Sequence, residues 1–368
     1  MYHQLKTDAA LFSSNYKNNY KEYPVKKTAL LILTICTLMA SCAKVPADTS
    51  TPERSRAPQP AATVLGEPVP VTAHEDHTFL LESDDPKLRA NKRLVYDMWR
   101  TILNAGHVEA ADVYLAADYI QHNPTAPTGR EAFKQNFSRV VPRQEQIPKT
   151  IQNPVVTIVA EGDYVVLALV TEYPEPDGSG TYTSTHFDMF RIENGVIAEH
   201  WDSIQIRPGQ DSPPFGNGGP VPVVGTRGAA QLDMLFNDDP RLFENKRLAF
   251  DMWRHIPEAG REELAPLYMD PIYIQHNPNA ATGRDGVIEY FTQRPDTSID
   301  SFLEDPLVAT VAEGDLVVQV LQEERPHPRT GETYYVAWFD MFRVRDGMLV
   351  EHWDTASKGE LPAVMQEN

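Results

Sequence analysis

The chain has 368 residues, with 33 Lys and Arg against 52 Asp and Glu, a formal charge of −19. A surface of that sign excludes nucleic acid as a natural partner and makes anionic lipid a poor one. Its two cysteines, Cys36 and Cys42, both lie near the N-terminus, so the folded part has neither a disulfide framework nor a cysteine-held metal.

Taken in order, the chain begins with a targeting segment. Lys26-Lys27 precede the apolar run from Thr28 to Met39, and small residues follow in Ala40-Ser41-Cys42. This is a signal-peptide pattern, too short to span a bilayer as a stable helix. Val25-Lys26-Lys27 would be a normal start for such a signal, so residues 1–24 of the segment 1–42 read as an over-extended start. Residues 43–75 are rich in Pro, Ala, Thr and Ser and read as a disordered tether.

From there the sequence repeats. Asn91-Lys92-Arg93-Leu94 returns as Asn245-Lys246-Arg247-Leu248, and Tyr119 to Pro124 (YIQHNP) returns as Tyr273 to Pro278. Ala160-Glu161-Gly162-Asp163 returns as Ala312-Glu313-Gly314-Asp315. Two copies at so long a period mean tandem domains of about 130 residues each. They are placed at 86–206 and 240–357, joined by a Pro/Gly-rich linker at 207–228.

Within a copy, Pro86 to Asn104 has apolar residues at helical spacing and Val108 to Ala117 is a shorter helix. Tyr119 to His122 is a short extended piece, stopped by Asn123-Pro124. Thr128 with Glu131 predicts a capping box opening a third helix. Strands follow at Val155–Val159, Tyr164–Tyr173, Thr181–Ile192 and Val196–Ile204, with Glu161-Gly162-Asp163 as a turn. Helices before an antiparallel sheet make an α+β pattern.

The last two strands carry the chemistry. Phe187-Asp188-Met189-Phe190-Arg191 and Glu199-His200-Trp201-Asp202 return as Phe339 to Arg343 and Glu351 to Asp354. A two-residue Asn-Gly turn would set Asp188 opposite Trp201. A three-residue loop sets Asp188 opposite His200, His186 opposite Asp202 and Phe190 opposite Ala198. The second register is preferred because it gathers the polar residues on one face. The shared set is then Asp188, His200 and Asp202, matched by Asp340, His352 and Asp354. His186 lacks a counterpart and is weighed less. Trp201 and Trp353 fall on the outer face, which the two domains can cover for each other as an intramolecular pseudo-dimer.

These motifs, from YIQHNP through AEGD to the closing EHWD, resemble the SnoaL-like polyketide cyclase family of the NTF2-like superfamily. The resemblance implies two tandem cone-shaped α+β barrels, each with a small-molecule cavity and no cofactor. It implies acid/base chemistry of the cyclase, isomerase or aldol type, with Asp202 and Asp354 as the acid/base residues. Asp188 and Asp340 stand as their partners on the preceding strand, and His122 and His276 near the mouth. Met39 to Cys42 likewise resembles a bacterial lipobox, which implies acylation of Cys42, and Ala43-Lys44 then implies the outer membrane facing the periplasm.

Asp202 is expected to act as base, with His122 or His200 as donor. His122 is favoured over Gln121 as the inward residue. Bland readings stand beside these. Asp188 and His200 would serve equally as a satisfied pair holding the hairpin, and Trp99 and Trp253 read as core. Two His and a carboxylate, from His122, His200 and Asp188 or Asp202, form a conceivable metal triad, with no tight motif behind it. A non-catalytic binding or scaffolding lipoprotein uses the same cavity.

Overall fold

The computed structural model describes residues 65–209, 219–292 and 297–359. Cys42, the signal segment and the tether as far as residue 64 lie outside the described residues, as do positions 210–218 of the expected linker. No helix among the described residues is long and apolar enough to cross a membrane.

Each copy forms one five-stranded sheet, ordered β1-β5-β4-β3-β2 and β6-β10-β9-β8-β7. In the first domain these are β1 (Leu115–Gln121), β2 (Val155–Glu161), β3 (Tyr164–Pro174), β4 (Thr181–Glu193) and β5 (Val196–Asp202). The second has β6 (Met269–Gln275), β7 (Leu307–Glu313), β8 (Leu316–Pro326), β9 (Thr333–Arg345) and β10 (Met348–Asp354). The chain Leu115 to Ala117, read as helix end from sequence, is strand. It runs parallel to β5 and so completes the sheet on the far side of the hairpin.

Helix α1 (Pro86–Met98) starts on Asp85, whose carboxylate accepts the Lys87 N–H at 2.7 Å, with Pro86 in the first turn, where its missing donor is harmless. It widens into a π turn over Trp99–Asn104. Helix α2 (Arg130–Val140) has Gly129 at its N-cap with no side-chain cap bond. The predicted capping box is therefore absent: Thr128 Oγ1 instead accepts the Gln121 N–H at 3.2 Å, tying the loop to β1. The second domain repeats this with α3 (Pro240–Trp253), a π turn at Arg254–Glu258, and α4 (Arg284–Phe291).

The hairpin register differs from both sequence-based alternatives. Asn194 and Gly195 have φ of 51° and 79°, a two-residue turn of the type that matches strand twist. Ile192 accordingly pairs with Ile197. Ala198 is then an extra residue in β5, so that Arg191 meets Glu199 and Asp188 meets Asp202. The bulge moves the register by one, so the polar face is the predicted one although the partners are not. The second copy does the same, with Asp340 opposite Asp354.

Each domain has an interior core between its sheet and helices, built around residues such as Ile102, Leu115 and Phe190 in one and Ile256, Leu349 and Phe342 in the other. A third cluster joins the outer faces of the two sheets, including Phe187, Met189 and Trp201 with Phe339, Met341 and Trp353. Phe187 and Phe339 stack there with centroids 5.4 Å apart.

Polar contacts cross the same boundary reciprocally. The buried Lys246 Nζ lies 2.6 Å from Glu161 Oε1, and the buried Lys92 Nζ lies 2.6 Å from Glu313 Oε2. Glu161 Oε2 also accepts the Ala312 N–H at 2.6 Å and Glu313 Oε2 the Ala160 N–H at 2.9 Å. Glu161, a turn residue in the sequence reading, is thus an anchor between domains.

The segment preceding each domain crosses to the other. The Val69 N–H donates to Gln275 O at 2.8 Å and the Val221 N–H to Gln121 O at 2.8 Å, each at the end of a sheet's edge strand. The expected tether reached residue 75, but from Gly66 to His74 the chain is bonded into the fold, and Val71 is 3% exposed. Backbone hydrogen bonds to both domains and a buried valine overcome the Pro-rich composition there.

Candidate functional site

Directly opposed residues share a face, and β4 and β5 turn Asp188, His200 and Asp202 toward the interior, where all three are buried. Strand β1 lies beside β5 and adds Tyr119 and Gln121, followed by Asn123 from the loop. These residues make the polar wall of a cavity of about 300 Å³. Its other walls are mostly apolar and come from α1, α2 and β1, among them Met98, Leu115, Phe133 and Phe137. Trp99 also lines it, on the π turn, with its indole N–H donating to Asn153 Oδ1 at 3.1 Å. It is therefore both core and cavity wall.

The polar wall is a connected network. The Asn123 N–H donates to Gln121 Oε1 at 2.9 Å, which identifies that atom as the amide oxygen. His200 Nδ1 stands 2.9 Å from the same oxygen and must therefore be a donor. His200 Nε2 lies 2.9 Å from Asp188 Oδ1, so one proton is shared between those two atoms. Asn123 Nδ2 donates to Asp202 Oδ2 at 2.6 Å, and the Ile204 N–H donates to Asp202 Oδ1 at 3.1 Å. His186 Nε2 is 3.2 Å from Asp188 Oδ2.

Two adjacent carboxyls are driven apart by their surroundings. Burial would raise Asp188, but the His186 and His200 imidazoles outweigh it and hold that carboxyl down, at about 2. Burial raises Asp202; His200 pulls against that, and the Asp188 charge adds to the rise, leaving it above the ordinary carboxylate value. Burial works against a charged His186, yet Asp188 prevails and its value is raised. Tyr119 is pushed well above the ordinary phenol range by burial and by Asp202 and Asp188, so it stays protonated.

His122 is not part of this wall, contrary to expectation. Period-two alternation along β1 puts Tyr119, Gln121 and Asn123 inward and His122 outward. There His122 stacks on Trp201 with centroids 4.8 Å apart, bonds Glu199 Oε1 at 2.8 Å through Nε2, and meets Val221 O at 2.9 Å through Nδ1. His276 does the same with Trp353, Glu351 and Val69 O. Both histidines fasten the crossing arms. The metal triad that included His122 fails with it. Asp188, His200 and Asp202 alone bring donor atoms within 4.8 Å of one another, as do Asp340, His352 and Asp354.

In the second domain the same frame surrounds a far smaller space, about 30 Å³. His352 Nδ1 meets Gln275 Oε1 at 2.8 Å, His352 Nε2 meets Asp340 Oδ1 at 3.0 Å, and Asn277 Nδ2 meets Asp354 Oδ2 at 2.6 Å. The walls differ at several positions, two of them in bulk and charge. Trp338, 1% exposed, replaces His186, and Tyr290 replaces Asn136 in the wall. Burial, with no imidazole at the Trp338 position, pushes Asp340 well above the usual carboxylate range and Asp354 up to about 6, and lowers His352 to about 4.

Sequence reasoning set Tyr119 and Gln121 aside in favour of His122, read Asn123 as a turn residue and undervalued His186. The parallel pairing of β1 with β5 would have found Tyr119, Gln121 and Asn123, since it aligns Gln121 with His200.

The chain resembles several known proteins. Solved structures of similar fold include a candidate polyketide cyclase from Acidithiobacillus ferrooxidans, at 16% identity over 33% of this chain and 89% of that one, TM-score 0.24. A candidate SnoaL-like polyketide cyclase from Jannaschia sp. CCS1 follows at 20% identity, 33% and 90% coverage, TM-score 0.24. TsrD from Streptomyces laurentii aligns at 20% identity, 33% and 90% coverage, TM-score 0.22. No curated protein matches. The model of the SnoaL-like domain matches twice, at residues 96–200 and 251–352. Matched by that model over more than half its length, the chain belongs to the SnoaL-like domain family and carries the domain twice.

Proposed function

We propose that the first domain is an acid/base enzyme site for a small, largely apolar carbonyl compound, of the cyclase, isomerase or aldol type. The observation that carries this reading is a roomy apolar cavity meeting, at one wall, an ionised Asp188 and an Asp202 whose carboxyl is raised. Paired groups with values pushed apart are what proton abstraction beside a carbonyl requires. Asp202 is the base. Its value lies nearer the working pH than an ordinary aspartate's, and Asn123 fixes its orientation. Tyr119 is the donor to the developing oxyanion. Gln121 Nε2 donates to its hydroxyl at 3.2 Å, which leaves the phenolic hydrogen for the ligand. The Asp188–His200 pair holds the wall and supplies charge balance. His122 has no part in it.

The second domain, in this reading, is a structural partner, and the two form an intramolecular pseudo-dimer through their outer sheet faces. Acylation at Cys42 would tether the pair to the outer membrane on the periplasmic side. The lipobox-like Met39 to Cys42 supports that assignment.

The test uses the chain lacking residues 1–42. Co-purified small molecules are identified by native mass spectrometry, and α-proton exchange of the bound compound is followed in deuterated solvent. Asp202→Asn should abolish exchange, Tyr119→Phe should slow it, and Asp354→Asn should leave it unchanged. Binding with no exchange in the parent chain would instead make the domain a carrier.

A further inference from the structure

The second domain has lost its ligand space and kept the whole polar network, which an empty scaffold would not need. We propose that this closed pocket is a divalent-cation site, with Asp340, His352 and Asp354 as its ligands. The claim is independent of the first domain's chemistry.

Charge balance favours a cation at this position. Asp340 and Asp354 face each other across β9 and β10 at 1% and 3% exposure. A buried carboxyl takes up a proton, is paired with a cationic side chain, or holds a metal. In the first domain the matching acid has His186 within 3.2 Å of its Oδ2. In the second that position is Trp338, which brings no charge. Asp340 Oδ2 and Trp338 Nε1 are both buried without a hydrogen-bond partner; Asp188 Oδ2 likewise has none, but it has the His186 imidazole 3.2 Å away. Arg325 stacks on the Trp338 ring at 5.7 Å and is bonded to Glu323. Two carboxylates and one divalent cation are neutral together.

The residues behind the three side chains orient them as a metal would need. A metal-ligating histidine donates its other ring N–H to a fixed acceptor. Gln275 Oε1 is such an acceptor: it takes the Asn277 N–H at 2.9 Å and faces His352 Nδ1 at 2.8 Å, which leaves Nε2 toward Asp340 and Asp354. Asn277 Nδ2 braces Asp354 from behind at 2.6 Å.

The size of the space fits an ion as well. About 30 Å³ accommodates an ion with one or two waters and no organic ligand. One imidazole and two carboxylates suit Mn²⁺, Fe²⁺ or Zn²⁺, with open positions left to water.

The experiment strips the chain lacking residues 1–42 with EDTA and titrates it separately with Mn²⁺ and Zn²⁺ by calorimetry. One site per chain is expected, with a change in Trp emission on binding. Asp340→Asn and His352→Gln should each weaken it at least 100-fold, whereas Asp188→Asn should retain it. Circular dichroism confirms that the variants are folded. Should either fail to fold, anomalous scattering from crystals of the parent chain soaked in Mn²⁺ decides, with a peak expected between Asp340 and Asp354. No binding by the parent chain, a peak elsewhere, or loss in Asp188→Asn with retention in Asp340→Asn overturns the proposal.

Discussion

The two pockets share a frame and differ in content. The hairpin, its bulge, the glutamine that orients a histidine and the asparagine that holds an aspartate recur with nearly identical distances. Yet one cavity is about ten times the other; Tyr290 stands in the second wall where Asn136 stands in the first, and Trp338 takes the place of His186. A polar network built from backbone register survives a change of neighbours. Cavity volume does not, because it depends on a few side chains projecting into the same space.

The sharpest way to break this comparison is to exchange those residues. His186→Trp should fill the first cavity and lower ligand affinity at least 100-fold, measured by titration with the co-purified compound. The reverse pair, Trp338→His with Tyr290→Asn, should open the second pocket and raise the ligand count per chain from one to two in native mass spectra.

The shared interface should show symmetry instead. Phe187 and Phe339 are both fully buried and stacked on each other. Phe187→Ala and Phe339→Ala should each lower the unfolding free energy by about 3–5 kcal/mol in denaturant titrations. The double variant should cost less than the sum, because one contact is lost twice.

A smaller contrast sits on the π turns. Glu258 takes the place of Asn104, and burial pushes its carboxyl up to about 8 although the Glu304 and Asp305 N–H groups bond to it. A carboxyl raised on folding ionises first in the unfolded chain. The penalty on folding therefore grows as pH rises from about 4.5 to 8 and then levels. Glu258→Gln should add roughly 2–4 kcal/mol to stability at pH 8 and little below pH 4.

The smallest expected effect is at Asp188. Its depressed carboxyl contributes stability that is complete above the ordinary value of 3.8 and is lost as pH falls through about 2. Asp188→Asn should remove roughly 2 kcal/mol of acid dependence across that window, seen as a flatter plot of thermal midpoint against pH.

Much of the fold was legible because the repeat, the period-two alternation and the turn residues are local signals. The inward face of β4 and β5 was read correctly from polar clustering even though the pairing was wrong by a bulge. Such a bulge leaves no mark in composition. His122 was misassigned because alternation along four residues allows two phases, and only the neighbour strand chooses between them. Once Gln121 lies beside His200 in parallel register, His122 must point out. The Pro-rich stretch around Val69 was read as free chain because its bonding partner, Gln275, lies more than two hundred residues away.

By itself, then, the sequence determined what each segment tends to become and that everything occurs twice, since those properties depend on neighbours along the chain. Which histidine faces a ligand, which pocket has room and which glutamates clasp the other domain were decided only in three dimensions. Each depends on residues distant in sequence meeting at a few ångströms, where one tryptophan in place of one histidine removes a counter-charge.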